Sequence, residues 1–322
     1  MKVAILGKIH QDGLDFLKSK NFNIFEINDF ESISFTKEIS KIDAIVIRTA
    51  QLRKKILAKF NNLKIVARHG VGYDNIDLDY LNTKKIALAI TGQSNAVSVS
   101  EHVMTMMLAL SKNIFASDKL TRSNGFEYKS DLQDFFELYE KNILILGFGR
   151  IGQALAKRCL GFEMEVLVYD PFIDNKKIIS SGCKPVSKTQ GFKIADYISI
   201  HLPLNKNTEN LISDDEFKLF KKNLILINTA RGGIVNESAL YNALKSNKIL
   251  GAGIDVFEQE PPTQNHKLFS LENIILTPHN SALTLECRKR MSLESCMNII
   301  NFINDKSSLN KNNIVNLSNL NF

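Results

Sequence analysis

The stretch Lys141–Gly152 reads KNILILGFGRIG. Ile143–Leu146 is a run of four apolar residues, and Gly147, Gly149 and Gly152 follow it as G-x-G-x-x-G. A helical pattern, Ile151–Leu160, opens directly behind. Glycines at this spacing alone could be any glycine-rich turn. Set between a buried strand and a helix, they form a dinucleotide fingerprint. Gly147 permits the tight turn, Gly149 lets the backbone approach a pyrophosphate, and Gly152 allows close helix–strand packing. The free N–H groups and dipole at the helix start attract phosphates.

The next strand, EVLVYD, ends at Asp170, 23 residues after Gly147. An acid there accepts hydrogen bonds from ribose hydroxyls and repels a 2′-phosphate. Pro171 and Phe172 follow it, with no arginine to hold such a phosphate. This spacing points to NAD rather than NADP. The other reading is that Asp170 caps the turn opened by Asp-Pro.

Outward from this unit, short apolar runs alternate with helical patterns. Val166–Tyr169, Tyr197–Ile200, Leu224–Ile227, Ala252–Asp255 and Ile274–Leu276 extend the strand series after Ile143–Leu146. Asp214–Phe220 and Glu237–Ser246 are helices within it. Six strands in such a series fit one doubly wound sheet. An earlier series comprises Val3–Leu6, Ala44–Ile47, Lys64–Ala67 and Ile86–Ile90, with helices over Gly13–Ser19, Leu52–Phe60 and Leu78–Lys84. This order predicts parallel βα units. Two long helices, Val97–Leu110 and Thr284–Ile303, flank the second series. The chain is therefore expected to leave a first domain near Ser98 and return to it near Leu283. Ser111–Lys141 has weak periodicity. The tail from Asp305 reads as loosely held, apart from a short strand at Asn313–Asn316.

The 322 residues suit about two domains, and the composition (44% hydrophobic, 23% charged) is globular. No apolar run approaches the ~18 residues of a membrane span. The N-terminal apolar run stops at Gly7, too short for a signal peptide, so a cytoplasmic protein is expected. Four cysteines show no C-x-x-C spacing and read as reduced thiols, and no metal site is expected. The excess of 41 basic over 34 acidic residues gives +7. It lies in short runs without aromatic interleaving, so no nucleic-acid partner is expected. A mild positive field attracts anionic metabolites.

Three ionisable residues follow late strands of the second series: Arg231 in NTARGGIV, Glu260 in DVFEQEPP and His279 in TPHNSAL. In an open parallel sheet, ligands bind beyond the carboxyl ends of the strands. Singly, these would be a turn arginine, a solvated carboxylate and a loop histidine. Together, beside the fingerprint, they suit hydride transfer to a ketone. A histidinium gives a proton to the developing oxyanion, and an opposite charge beside it favours the protonated form. A guanidinium fork matches an α-carboxylate.

These motifs resemble the D-isomer-specific 2-hydroxyacid dehydrogenase family, which includes D-3-phosphoglycerate dehydrogenase and hydroxypyruvate/glyoxylate reductases. The resemblance covers about residues 44–300. It rests on ARHGVGYDNID (Ala67–Asp77), SVSEHVM (Ser98–Met104), LGFGRIG (Leu146–Gly152), YDPF (Tyr169–Phe172), HLPL (His201–Leu204), NTARGGIV (Asn228–Val235), GIDVFEQEPP (Gly253–Pro262) and TPH (Thr277–His279). It implies an α/β protein of two domains. A Rossmann-type NAD domain, residues 99–283, is inserted into a discontinuous flavodoxin-like substrate domain, residues 1–98 and 284–322. It also implies a catalytic trio of Arg231, Glu260 and His279, with His279 as proton donor.

The resemblance further implies cofactor contacts. Arg150 and Ile151 would meet the pyrophosphate, and Asp170 the ribose. Leu202 and Pro203 would lie beside the adenosine, and Thr229, Ala230 and Arg231, with His279, near the nicotinamide. Asp255 would meet the carboxamide. The Gly70-Val71-Gly72 backbone would face the substrate carboxylate, in accord with the anion nest that flanking glycines leave. Arg48, after DAIVI, resembles a substrate-contacting arginine, or is a surface arginine at a strand end. His201 reads as shaping the adenosine side, and His69 sits beside the substrate loop. His10, His102 and His266 have no evident partners. The SVSEHVM helix is similar to one that carries dimer contacts, so a homodimer is expected.

Ser281 departs from the pattern, because many relatives carry glycine two residues after the histidine. The chain also ends soon after Asn316, so serine feedback through an extra C-terminal domain is not expected. The expected activity is NAD-dependent hydride transfer on a small D-2-hydroxy or 2-keto acid. The alternative is an NAD(H)-sensing corepressor-like protein with little turnover. Formate dehydrogenases of the family carry glutamine where Glu260 stands, which argues against formate. A methyltransferase would leave NTARGGIV, DVFEQEPP and TPH without a role.

Overall fold

The structure is a computed structural model, and it describes residues 1–27, 39–132 and 134–320. The chain forms two compact units, Met1–Asn95 with Leu283–Phe322, and Ala96–Ala282.

The first unit holds strands β1 (Lys2–Leu6), β2 (Asn23–Ile27), β3 (Ala44–Ile47), β4 (Ile65–Arg68) and β5 (Ala87–Ile90). They form a parallel sheet in the order β2-β1-β3-β4-β5. This is the flavodoxin-like order. Helices α1 (Gln11–Ser19), α2 (Lys54–Leu57) and α3 (Leu78–Thr83) lie along the connections. β2 was not anticipated from sequence. Its residues, NIFEI, are nowhere fully buried, so this edge strand lacks the continuous apolar run of one covered on both faces. The helix expected over Leu52–Phe60 shrinks to α2. Leu52 instead bridges to Ile76, and its N–H donates to Asn75 O at 2.8 Å.

The second unit begins with α4 (Ala96–Ser111) and α5 (Ile114–Arg122). Then come β6 (Asn142–Leu146), α6 (Arg150–Gly161), β7 (Glu165–Tyr169), α7 (Asn175–Ser180), β8 (Lys184–Pro185) and α8 (Lys188–Ile194). The series closes with β9 (Tyr197–Ile200), α9 (Asp214–Leu219), β10 (Ile225–Asn228), α10 (Glu237–Lys245), β11 (Gly251–Ile254) and β12 (Ile274–Leu276). The parallel sheet runs β12-β11-β10-β9-β6-β7-β8, a Rossmann order whose direction reverses between β6 and β9. The seventh strand, β8, is two residues long and contains Pro185, so no period marks it; proline is tolerated at such an edge. Alternate residues of β6 serve opposite faces. Leu144 and Leu146 pack with Phe192 and Phe217, whereas Ile143 and Ile145 pack with Met104 and Leu155. Burial on both faces explains the unbroken apolar runs.

The returning helix α11 (Leu285–Asn304) belongs to the first unit and packs on α1. A Cβ at Gly13 would lie 2.2 Å from Ser292 Oγ, so glycine sets this close approach. The tail is better anchored than its composition suggested. Leu309 and Ile314 are buried. Asn313–Asn316 forms no strand, only one antiparallel bridge, Ala89 to Ile314. Asn316 replaces strand pairing with side-chain bonds. Its Oδ1 accepts from Leu88 N–H, and its Nδ2 donates to Ile86 O, each at 2.9 Å. An amide side chain thereby satisfies backbone groups at the sheet edge.

Candidate active site

The site is built at the carboxyl ends of β6, β7, β9, β10, β11 and β12 in the second unit. Gly147 turns the chain out of β6 with φ +96°, and a Cβ there would lie 2.6 Å from His201 O. At Gly152 a Cβ would lie 2.1 Å from Gly147 O. Both glycines are therefore required by backbone contacts. Gly149 differs: nothing lies within 4 Å of the position its Cβ would take. It is also the N-cap of α6 and provides no capping side chain. The first N–H groups of α6, at Arg150 and Ile151, thus adjoin open space, which suits a pyrophosphate.

Asp170 fulfils the turn role while binding the loop. Its Oδ1 accepts from Phe172 N–H at 2.9 Å and its Oδ2 from Phe148 N–H at 2.7 Å. Its carboxylate is thus held at the mouth of the fingerprint loop. Leu202 and Pro203 follow β9, and the Leu202 side chain borders Gly147. His201 donates to or accepts from Ser199 Oγ at 2.9 Å, and burial pushes its pKa down to about 3. It is a neutral structural imidazole in the working pH range.

Asn228 organises the loop after β10, a role that sequence reading did not assign. Its Oδ1 accepts from Ala230 N–H at 3.0 Å and its Nδ2 donates to Arg231 O at 2.9 Å. This is the local turn chemistry of asparagine. Within the loop Thr229 is buried, and its Oγ1 has no hydrogen-bond partner. A buried hydroxyl without a partner fits a ligand group alongside.

Glu260 and His279 meet. His279 Nδ1 lies 2.8 Å from Glu260 Oε2, and their side chains remain 46% and 36% exposed. Burial would raise the Glu260 pKa, but hydrogen bonds from His279 and the Phe257 N–H outweigh it. The nearby charges of His279 and Arg231 add to them, so the carboxyl sits below its ordinary value. Arg231 is therefore electrostatically coupled to the pair. His279 has φ +50°, which is unusual for a residue with a side chain, and its N–H donates to Asp255 O at 2.8 Å. Such backbone strain clusters at functional positions. A pocket of about 310 Å³ opens beside the pair, with Phe257, Pro262, Phe269 and Leu276 among its walls.

Asp255 is fully buried. It accepts from Thr277 Oγ1 at 2.6 Å, Asn280 N–H at 2.9 Å and Ser281 N–H at 3.1 Å. Its immediate work is to shape the loop that carries His279. Thr277 also meets His102 Nε2 at 3.1 Å, a partner that sequence reading lacked. Ser281 is buried, and its carbonyl accepts from Ser98 Oγ at 2.6 Å. Its φ is not positive, so a serine fits without strain.

In the first unit, Gly70-Val71-Gly72 follows β4, and Arg48 follows β3. Gly70 has φ +142°. The unassigned Arg68 braces this loop from β4. Its Nε donates to Gly72 O at 2.7 Å, and its Nη1 donates to His69 O. Gly70 N–H donates to Arg68 O at 2.9 Å, so with carbonyls drawn to the guanidinium the N–H groups of Val71 and Gly72 are those turned to an anion. His69 is buried, which, with help from nearby arginine charge, pushes its pKa down to about 4. Among the described residues, no group of three His, Cys, Asp or Glu is placed to hold a metal ion. No described helix is long and apolar enough to cross a membrane.

Residues 104–281 match the family described as D-isomer specific 2-hydroxyacid dehydrogenase, NAD binding domain. The chain is 38% identical over 296 residues to a hydroxypyruvate reductase of Thermotoga maritima, covering 91% of this chain and 95% of that one. The chain belongs to the D-isomer-specific 2-hydroxyacid dehydrogenase family. It is also 33% identical over 302 residues to a D-3-phosphoglycerate dehydrogenase of Archaeoglobus fulgidus. That match covers 94% of this chain, which spans only 57% of the relative's length. Among solved structures, a D-lactate dehydrogenase from Aquifex aeolicus complexed with NAD and lactic acid superposes with a TM-score of 0.85. It is 28% identical, with 97% and 98% of the two chains covered. The second unit is thus the NAD-binding domain of a 2-hydroxyacid dehydrogenase family member. The open flank of Gly149 and the unpartnered Thr229 hydroxyl are consistent with that ligand.

Proposed function

We propose that this protein is an NAD-dependent dehydrogenase that interconverts a small D-2-hydroxy acid and its 2-keto acid. The observation that carries the proposal is the 2.8 Å contact between Glu260 and His279, on the same sheet edge as the glycine loop. Bound there, the nicotinamide supplies or removes the hydride. The other steps fall to the chain's own residues. Glu260 accepts from Nδ1–H of His279, which leaves Nε2 to carry the moving proton to or from the substrate oxygen. The carboxylate stabilises the imidazolium form. Arg231, whose Nη1 donates to Ala230 O at 2.7 Å, brings its guanidinium charge to the substrate carboxylate.

The cofactor is proposed to lie along Gly147–Gly152, with Arg150 and Ile151 at the pyrophosphate and Asp170 at the ribose. Leu202 and Pro203 flank the adenosine, and Thr229, Ala230 and Arg231 line the nicotinamide end. Asp255, fully buried beneath its donors Thr277, Asn280 and Ser281, is proposed to serve the nicotinamide end by holding the loop of His279 and not by meeting the carboxamide directly. The first unit is proposed as the substrate domain, with Gly70-Val71-Gly72 as its anion nest and Arg48 as a further cation.

A cytoplasmic homodimer is the proposed form. Exposed Phe115, Phe126, Tyr128, Phe135 and Tyr139, all within the 111–141 segment, support a partner surface. Light scattering at micromolar concentration should give twice the chain mass.

The test is NADH oxidation with phosphohydroxypyruvate, hydroxypyruvate, glyoxylate and pyruvate in parallel, and NADPH as control. Turnover with at least one acid, and a preference for NADH, is expected. His279→Ala should lower kcat by ~10²–10⁴-fold while NADH still binds. NADH binding without turnover on any of these acids would refute the proposed activity on them.

A further inference from the structure

Glu237, the first residue of α10, takes part in an exchange of hydrogen bonds with the loop that carries Glu260. Its N–H donates to Glu258 Oε1 at 2.9 Å, and the Glu258 N–H donates to Glu237 Oε1 at 2.8 Å. Each segment thus caps the other. The second oxygen of Glu237, Oε2, lies 2.9 Å from His266 Nε2. A carboxylate only accepts, so that nitrogen carries the proton. The Glu237 and His266 side chains are only 16% and 17% exposed. The His266 ring stands edge-on to Phe257, 5.6 Å between centroids, and tilts against Phe269 at 5.4 Å.

These contacts converge on Phe257 and Glu258, just ahead of Glu260. Phe257 is itself tied to the pair, since its N–H donates to Glu260 Oε1 at 3.1 Å. The arginine loop is drawn in at the same point. A Cβ at Gly232 would lie 1.8 Å from Phe257 O, so the segments behind Arg231 and ahead of Glu260 meet backbone to backbone.

We infer that Glu237, braced by His266, is a positioning residue that holds the 257–260 loop so that Glu260 reaches His279. The inference rests on the proposed proton-transfer role of that pair. The hydrogen bonds of Glu237 go to Glu258 and His266 and to no member of the trio Arg231, Glu260 and His279. It acts by fixing the backbone from which the Glu260 side chain departs. Without it, the Glu258 N–H loses its acceptor and the loop is free to shift. A displacement of about 1 Å in catalytic geometry costs ~10²-fold in rate.

The experiment compares Glu237→Ala, Glu237→Gln, His266→Asn and Glu260→Gln in the full chain. It measures kcat, KM for the keto acid, NADH affinity and the pH–rate profile of reduction. Glu237→Ala should lower kcat by ~10–100-fold with NADH affinity unchanged. It should also move the alkaline limb of the profile to lower pH, as Glu260→Gln does, because the imidazolium loses its carboxylate. Glu237→Gln keeps an acceptor for the Glu258 N–H and should restore most of the rate and the limb. His266→Asn leaves the backbone exchange in place and should give a smaller shift of the same sign, which keeps the test open if Glu237→Ala does not fold. Loss of rate matched by loss of NADH-binding protein, with the limb unmoved, would make Glu237 merely structural and overturn the inference. If Glu260→Gln moves the limb and neither Glu237 nor His266 variants do, the inference fails and the proposed pair stands. If Glu260→Gln itself leaves the limb in place, the proposed pair fails and the inference fails with it.

Discussion

Two glycine loops follow central parallel strands, one in each unit, and they are held open by different means. Gly147–Gly152 in the second unit runs straight into α6, so a helix start provides the N–H groups. Its shape is set by backbone against backbone, with Gly147 against His201 O and Gly152 against Gly147 O. Gly70-Val71-Gly72 in the first unit precedes no immediate helix; α3 begins only at Leu78. Its carbonyls are gathered instead by one side chain, Arg68. The first design tolerates no added atom at its contact points. The second depends on a long cation whose loss leaves the backbone in place but slack.

The comparison breaks most sharply at Gly152. Gly152→Ala places its methyl 2.1 Å from a backbone oxygen that has little room to yield. Overpacking of this kind costs ~1–3 kcal/mol or more. If that strain falls on the bound form of the loop, NAD affinity should drop by ~5–150-fold at ~1.4 kcal/mol per decade, as titration by NADH fluorescence would report. Unchanged affinity would mean that the loop is not the pyrophosphate site.

Arg68→Ala should act on the other loop alone. The expected result is a rise in keto-acid KM of ~10-fold, since a hydrogen bond to a charged group contributes ~1.5–3 kcal/mol. NADH affinity should not move. A change in NADH affinity with constant KM would reverse the assignment of the two loops.

Asp170→Ala probes a finer point, because its carboxylate both caps the turn and is proposed to meet the ribose. NAD preference over NADP should fall by ~10-fold, the loss of one charged hydrogen bond. An unaltered preference in initial-rate measurements would leave only the turn-capping role.

Acid should reveal a feature the units share. Each places a histidine just past a strand, the buried His69 after β4 and the half-buried His201, whose ring nitrogen is turned inward to Ser199, after β9. Burial is the leading cause in both, lowering them to about 4 and about 3. The unfolded chain takes up these protons near pH 6.5, the folded chain only well below it. Their contribution is complete above about pH 6.5 and is lost as pH falls toward 4 and then 3. Urea unfolding between pH 7 and pH 4 should show stability declining by an amount on the order of a few kcal/mol. A flat profile would show that one or both rings are solvated.

What could be read in advance followed from how each segment is buried. β6, β9 and β10 are covered on both faces, so Ile143–Leu146, Tyr197–Ile200 and Leu224–Ile227 stand out as apolar runs. β2, nowhere fully buried, and β8, two residues long, leave no such trace. Asn313–Asn316 looked like a strand because NIVN has an apolar centre. The Asn316 side chain took over the bonds a partner strand would make. At the candidate site, Arg231, Glu260 and His279 were legible because each follows a strand of one parallel sheet. Asn228, Thr277, Arg68 and Glu237 were not singled out, although Asn228 opens a turn of the kind asparagine favours.

The sequence by itself determined the α/β class, the glycine loop and the three ionisable residues behind late strands. Local spacing encodes these, because parallel strands deliver their carboxyl ends to one edge. The tertiary structure alone decided which groups meet. Glu260 and His279 are 19 residues apart in sequence, and Glu237 and Glu258 are 21 apart. Such pairings depend on where two loops are brought by packing, and no periodicity or local propensity records that distance.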